Sequence, residues 1–534
     1  MKLSLGRISG SKNIFLYSSL LVFFVFLITR VQYFLYYPVL VLSSDSASYC
    51  AVAFDILNSQ TPLFDIRTPG YPLFISLIWM VSKTVYALAI AQSLFTLSVS
   101  IFFLWVIEQT YRSLTFLFAI SISAFISSTY YLVLEVSLLT EGIFVCMLLL
   151  SAGLLILALK KNKISVWAMY SASVSVVIII RPAGLFLFAV MALIFVYFIV
   201  NKYKFKFYLS LFVPFTIIIF SLCFYNYMTL KLFTITPFGE ANLSGATILF
   251  MEPSPEYPQY VNEAIKNTLD SIPRTEINYV KNASGISQLY HTFNNNFYRQ
   301  VNLTENLMRA DTSLRFVGVQ PIVRQISIDA IKSNPKIYAK FVVSNFLFFF
   351  NNVKIVMDYY EQLSNILTRT YIDKKYEKEL ESGRWRQVSN DKSDNEEIKV
   401  FFKQETGKQN ELEHVKITED NRIEFRQTFL KSLFEVYENV NNFLFRNYLW
   451  LVLFCAVFFI SFIKLIKSRF KDVDVFIPFL FTVIYITKAI LVSLVEVSLT
   501  RYSFTVEFAI YFSLPFLVLL LRKNKSNTLI TNNK

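Results

Sequence analysis

Histidine is almost missing from this chain: His291 and His414 are its two copies, far apart in sequence. That scarcity argues against imidazole acid–base chemistry and histidine metal sites. Four cysteines, Cys50, Cys146, Cys223 and Cys455, are scattered, and three stand inside apolar runs. Neither a disulfide framework nor a zinc spacing can be built from them, so they read as packing residues. The chain also lacks a GxxxxGK phosphate loop, a GxSxG elbow and an HExxH helix. Heptad arrays, repeats of about 20 to 50 residues and inverted hydropathy symmetry are absent as well.

Apolar and aromatic residues are abundant instead. A hydrophobic share of 55%, 55 Phe, 31 Tyr and a mean hydropathy of +0.48 over 534 residues lie outside the range of soluble domains. No stretch alternates at period two, which leaves helices as the way across a bilayer. The net charge of +14 would suit nucleic acid, but its placement excludes that partner. Between Tyr227 and Tyr448 there are 27 basic and 27 acidic residues, against 24 basic and 10 acidic elsewhere. The whole excess falls in short polar gaps such as Lys160 to Lys163, Lys202 to Lys206 and Lys464 to Lys471, the positive-inside signature of a membrane protein.

Hydropathy and basic gaps together predict an all-α polytopic membrane protein of about ten transmembrane helices. The spans are Ile14 to Thr29, Tyr86 to Ile107, Leu114 to Tyr131, Leu139 to Leu159, Ile164 to Ile180, Ala183 to Val200, Phe207 to Tyr225, Leu449 to Ile463, Val475 to Val495 and Ser503 to Leu521. The first has basic flanks like a signal peptide but no small-residue cleavage site, and it reads as a retained anchor. Three units follow: an N-terminal membrane module (1–226) with its first outer loop (43–83), a mixed extracytoplasmic region (227–448), and a C-terminal membrane module with a cytoplasmic tail (449–534). In the first outer loop, Ser46 to Leu57 and Tyr71 to Met80 are expected as interfacial helices. Ile337 to Phe350 is apolar, yet one more crossing would put every later basic gap outside, so it is expected as an interfacial or core helix.

Polar residues with chemical potential gather at the outer ends of these spans. Asp45, in Ser43-Ser44-Asp45-Ser46-Ala47-Ser48-Tyr49, follows the first span and can meet a membrane-bound substrate. Asp and Ser are also leading N-cap residues, so capping of the next helix by Asp45 or Ser44 is the structural alternative. Arg67-Thr68-Pro69-Gly70-Tyr71-Pro72 joins a cation to a rigid turn; Arg181-Pro182-Ala183-Gly184 and Arg501-Tyr502 place two more cations outside, against the usual bias. Lipid headgroups are one counter-ion for them; converging together with Lys488, they suit a specific phosphate. Glu141 opens the fourth span, where the helix dipole favours a carboxylate, and it is a candidate second acid with Glu135 shortly before it. Glu507 lies inside the last span, so Arg501 or Lys488 is its expected partner.

An outer Asp-x-x-x-Tyr, an Arg-x-Pro-Gly-Tyr-Pro turn, a Thr-Glu-Gly-Ile-Phe span start, an Arg-Pro-x-Gly hairpin and a late Arg-Tyr, in that order, resemble bacterial GT-C glycosyltransferases. The similarity is to the group with protein mannosyltransferase-like and aminoarabinose-transferase-like enzymes, and it covers the chain to about Phe250 plus the last three spans. Two departures stand out: Asp45 has no adjacent second acid, and the Tyr227 to Tyr448 region aligns with no part of the family. The resemblance implies transfer of a sugar from a polyprenyl-phosphate donor to an outer hydroxyl on a glycan, lipid or protein, with inversion, in a bacterial inner membrane. Asp45 and Glu141 would be catalytic, Arg67, Arg181, Lys488 and Arg501 would bind the donor phosphate, and Tyr49, Tyr71 and Tyr502 would position substrate. No cofactor is required by it, no metal-ligand set is assigned, and room is left for a divalent cation. A transporter or flippase of a lipid-linked sugar would use the same cations without a base, although the long outer region and missing repeat symmetry disfavour it. A polymerase or ligase of surface polysaccharide is a third reading.

Reporter fusions after Pro253 and after Gly383 test this topology. Both should read as exported, and cytoplasmic readings at both would overturn the outer placement of the candidate residues.

Overall fold

The structure, a computed structural model, describes residues 13–36, 40–42, 45–82, 85–282, 285–351, 385–387 and 448–531. The chain is a multi-pass membrane protein: seven of its described helical segments are long and apolar enough to cross a bilayer. Helices α1 (Ile14–Tyr36), α4 (Val85–Tyr111), α7 (Thr140–Lys161), α9 (Leu187–Val200) and α10 (Phe205–Leu230) contribute to five of these segments, α18 (Leu449–Lys467) and α19 (Val473–Val495) to the others. Exposed apolar side chains such as Leu16, Phe23 and Leu27 on α1, and Val452, Phe459 and Ile466 on α18, suit hydrocarbon as the neighbouring solvent.

Two expected spans form a hairpin and one is broken. Tyr86 to Ile107 lies in α4 and most of Leu114 to Tyr131 in a short α5 (Thr115–Ile126), which folds back on α4 after a 3-10 turn at Arg112–Leu114, so that Phe103 meets Phe118 at 6.1 Å. Ser503 to Leu521 is divided into α20 (Thr500–Phe504), α21 (Phe508–Tyr511) and α22 (Ser513–Thr531). α8 (Ile164–Ile180) stops at 17 residues. The expected interfacial helices form as α2 (Ser46–Leu57) and α3 (Gly70–Val81), held together by stacking of Phe54 on Trp79 at 5.0 Å and a bond from Ser76 Oγ to Ala53 O.

One large apolar core runs through this bundle, with α7 buried along nearly its whole length. Its ends carry opposite charge, as the macrodipole favours: Glu141 stands in the first turn, Lys160 and Lys161 in the last. At 1.5 Å per residue those ends lie roughly 30 Å apart, the thickness of a hydrocarbon core. The lysine end is tied to α19 by the Lys160–Asp474 ion pair, and Tyr111 Oη donates to the same carboxylate at 3.1 Å. Pro214 interrupts α10, and Ser171 of α8 fills the break: its hydroxyl accepts from Phe215 N at 3.1 Å and donates to Leu211 O at 2.5 Å. A further charge pair is fully enclosed. Arg30 of α1 reaches Glu135, the last residue of α6 (Thr129–Glu135), at 2.6 Å and 3.1 Å, and Ser93 and the carbonyl of Ile126 complete the contacts.

Residues 239–351 build a second core of their own, and the described part of the 227–448 region is helical where a mixed domain was expected. Here α11 (Gly239–Thr247), α12 (Gln259–Asp270), α13 (Arg274–Asn282), α14 (Ile286–Phe297), α15 (Gln300–Ala310) and α16 (Phe316–Ser333) follow one another, and α12 to α15 are amphipathic. α12 buries Val261, Ala264, Ile265 and Thr268, one stripe of a 3.6-residue period. α17, over residues 335–351, contains the expected Ile337 to Phe350 helix and joins the two cores. Phe341 belongs to the second core, while Phe349 meets Tyr485 of α19 edge-on at 5.4 Å. A three-residue parallel pairing of Leu40–Leu42 with Trp385–Gln387 is the described sheet structure. The rest of the charged Asp373 to Asn421 stretch, like Ser43 and Ser44, lies outside the described residues.

Removing one partner of the enclosed pair should be expensive. Glu135→Ala leaves the Arg30 guanidinium without its carboxylate at a predicted cost of about 3–5 kcal/mol, and Arg30→Met with Glu135→Leu should recover most of it. Unfolding midpoints in detergent measure both; a single variant as stable as the parent would contradict the pairing.

Candidate functional site

Four chain breaks converge at the Glu141 end of α7, and each is shaped by local chemistry. Arg67 precedes the Thr68-Pro69 turn into α3, and Thr68 Oγ1 donates to Ile180 O at 3.2 Å. Gly70 is required there: a Cβ would lie 2.6 Å from Ile180 N and 2.7 Å from Ile179 O, so the α3 start rests on the bare backbone at the end of α8. Arg181 is the next residue, in extended conformation between α8 and the 3-10 turn Pro182–Phe186. Glu141 follows the turn after α6, which Gln92 holds by donating to the carbonyls of Glu135 and Ser137. Ser46 Oγ donates to Leu138 O and thereby ties the Asp45 turn to the Glu141 turn. Arg501 and Tyr502 sit in the five-residue α20.

These breaks bring the expected charges together. Arg67 Nη2 meets Asp45 Oδ1 at 2.7 Å, and Arg501 Nη1 meets Asp45 Oδ2 at 3.5 Å. Arg181 Nη1 lies 2.6 Å and Arg501 Nε 3.8 Å from Glu141 Oε1. Arg501 therefore bridges the two carboxylates, and three guanidiniums face two acids, which leaves positive charge in excess. Asp45 does not cap α2: its side chain makes no capping bond and turns to the arginines instead. Arg67 also donates to Ser48 Oγ at 2.7 Å and lies 4.6 Å from the Tyr49 ring, while Arg181 and Arg501 lie 5.0 Å and 5.1 Å from the Tyr502 ring. Asp45 and Arg501 keep 28% and 26% side-chain exposure against 1% for Glu141, so the ring opens on the Asp45 side.

The other expected residues differ in their surroundings. Tyr71 is fully buried behind Tyr49, edge-to-face at 5.2 Å, and donates to Gln92 Oε1 at 2.8 Å. Lys488 is 1% exposed, between the rings of Phe144 and Phe186 at 5.4 Å and 5.6 Å. Glu507 corrects its expected pairing. Among the described residues it meets neither Arg501 nor Lys488, and its buried Oε1 has no hydrogen-bond partner, because Arg501 is turned to Asp45 and Glu141. Tyr298, which follows α14, was not foreseen; it lies within electrostatic reach of Arg501 and Asp45 and stays 48% exposed. No group of three or more His, Cys, Asp or Glu among the described residues is arranged to hold a metal ion.

Burial pushes the Asp45 carboxyl up, but the charges of Arg67 and Arg501 and the Arg67 hydrogen bond outweigh it and hold the group at about 2. Such a carboxylate is a charge partner before it is a base. The site as a whole is a ready receptor for an oxyanion, since planar guanidiniums offer paired donors to phosphate and can exchange one oxyanion for another. No protein-family model, curated protein or solved structure matches the chain.

The sign of the pH response follows from Asp45. Its carboxyl sits at about 2 in the fold against 3.8 when unpaired, so its stabilising contribution is complete above the higher value and is lost as pH falls through the lower. Thermal unfolding between about pH 5 and pH 2 should show a loss that Asp45→Asn lacks. The same pH dependence in both proteins would mean that the arginines do not hold this carboxyl.

Proposed function

We propose that the chain is a membrane glycosyltransferase of GT-C type that moves a sugar from a polyprenyl-phosphate donor to a hydroxyl on an extracytoplasmic acceptor. The carrying observation is the placement of Asp45 between Arg67 and Arg501, with Arg181 and Glu141 beside them. In this reading the chain crosses a bacterial inner membrane about ten times, with 227–448 outside between the membrane modules 1–226 and 449–534. The donor phosphate takes the guanidiniums, and Asp45, relieved of two cations, rises towards an ordinary carboxylate and becomes competent as a base. The acceptor oxygen attacks the anomeric carbon and its proton passes to Asp45. The bond from that carbon to the phosphate oxygen breaks, the electron pair leaves with the polyprenyl phosphate, and the anomeric centre inverts. Arg67, Arg181 and Arg501 offset the charge gained by the departing phosphate, and Lys488 adds to their field from below. Glu141 keeps Arg181 and Arg501 aligned, with Tyr49 and Tyr502 supporting the guanidinium planes.

Two variants separate catalysis from binding. Asp45→Asn removes the proton acceptor together with a competitor for the arginines. Transfer should fall by at least about 10²-fold while affinity for a polyprenyl monophosphate is unchanged or higher. Arg181→Ala should weaken that affinity by about 10- to 150-fold, the worth of a charge-assisted bond. Activity of Asp45→Asn within a few-fold of the parent would sink the base assignment and favour transport of the same lipid. Normal lipid binding by Arg67, Arg181 and Arg501 variants alike would make these residues headgroup anchors.

A further inference from the structure

The outer helices reach the anion site by a route that the transfer chemistry does not use. α19 ends at Val495, α20 begins at Thr500, and the segment between them delivers Arg501. Glu496 is extended (φ −149°, ψ 163°), so the next peptides present bare backbone polar groups. Asn345, at the middle of α17 and 0% exposed, satisfies them from the side. Its Nδ2 donates to Glu496 O at 3.0 Å, and its Oδ1 accepts from Ser498 N at 3.2 Å. Ser498 Oγ in turn donates to the Asn345 carbonyl at 2.8 Å. One primary amide therefore pairs with a carbonyl and an N–H two residues apart, as a neighbouring strand would. Tyr290 of α14 donates to Ser498 O at 2.7 Å, and Val497 is wholly enclosed in the second core.

We infer that Asn345 is a positioning residue for Arg501, and that through it the outer helical unit sets the affinity of the anion site. The inference rests on the phosphate reading of that site and adds the element that regulates it. Asn is needed because the amide both donates and accepts: aspartate of the same shape would face the Glu496 carbonyl with another acceptor, and leucine would offer neither function. Arg501 bridges Asp45 and Glu141, so a shift of its short helix changes the geometry of both pairs. Arg181 is carried by α8 and has no link to this turn through Asn345.

The test is a double-mutant cycle on the full-length protein in nanodiscs, with a polyprenyl monophosphate as the probe. Asn345→Leu and Asn345→Asp should each weaken binding about tenfold. In an Arg501→Ala background either change should have little further effect, whereas in an Arg181→Ala background, which keeps Arg501, most of the Asn345 loss should remain. A general loosening of the fold would instead weaken binding by the same factor in both backgrounds, and that result overturns the inference, as does unaltered binding by both Asn345 variants. If Arg501→Ala itself binds the probe normally, the phosphate reading falls and this inference with it. Should Asn345→Leu fail to fold, the isosteric Asn345→Asp carries the cycle alone.

Discussion

Charge enclosed at the edge of an apolar bundle must be matched at contact distance, because removing an ion from water costs several kcal/mol that only an opposing charge returns. The arrangement at the Glu141 end of α7 is organised by that requirement. Glu141 is almost fully buried and needs Arg181 and Arg501; Arg501 then needs Asp45 as well, and Asp45 draws in Arg67. Segments that are distant in sequence are thereby pinned to one another. The Arg30–Glu135 pair obeys the same rule below the turn that leads to Glu141.

A site of this kind holds its charges as internal ion pairs and can exchange them for an incoming oxyanion without exposing an uncompensated ion at any stage. In the proposed transfer, that exchange would let a carboxylate held low by arginines serve as a proton acceptor once a phosphate has taken them. It also accounts for the exposure gradient: the more open Asp45 is the acid that can be displaced, and the enclosed Glu141 is the one that stays.

Much of this was legible in the sequence for a physical reason. Arg67, Arg181 and Arg501 stand on short loops away from the lysine-rich gaps, where a cation needs a local cause, and they do meet in space with Asp45 and Glu141. The short helices α2 and α3 were readable from apolar stretches too short to cross. Other features left little trace. Tyr298 follows an amphipathic helix and Asn345 is a polar residue inside an apolar one, and nothing in their neighbours names the element each is turned to. Arg30 carried a usable signal, a cation inside an apolar run, but its partner is a long way off in sequence. The break after Phe504 was hidden because its residues are apolar enough to continue a span, whereas the structure interrupts the helix there. Glu507 was misassigned by the rule that a buried acid takes the nearest cation, since that cation already had two carboxylates to serve.

The Ser171 hydroxyl in the gap of α10 has a mechanical meaning. A proline alone leaves a helix with a soft joint, free to straighten or bend further at small cost. Here the joint is filled by an atom group belonging to α8, bonded to both lips of the opening. Closing the notch would expel a hydroxyl into hydrocarbon, and widening it would strip two backbone groups of their partners. The geometry of α10 at Pro214 is thus a shared property of two helices, held by a serine on its neighbour.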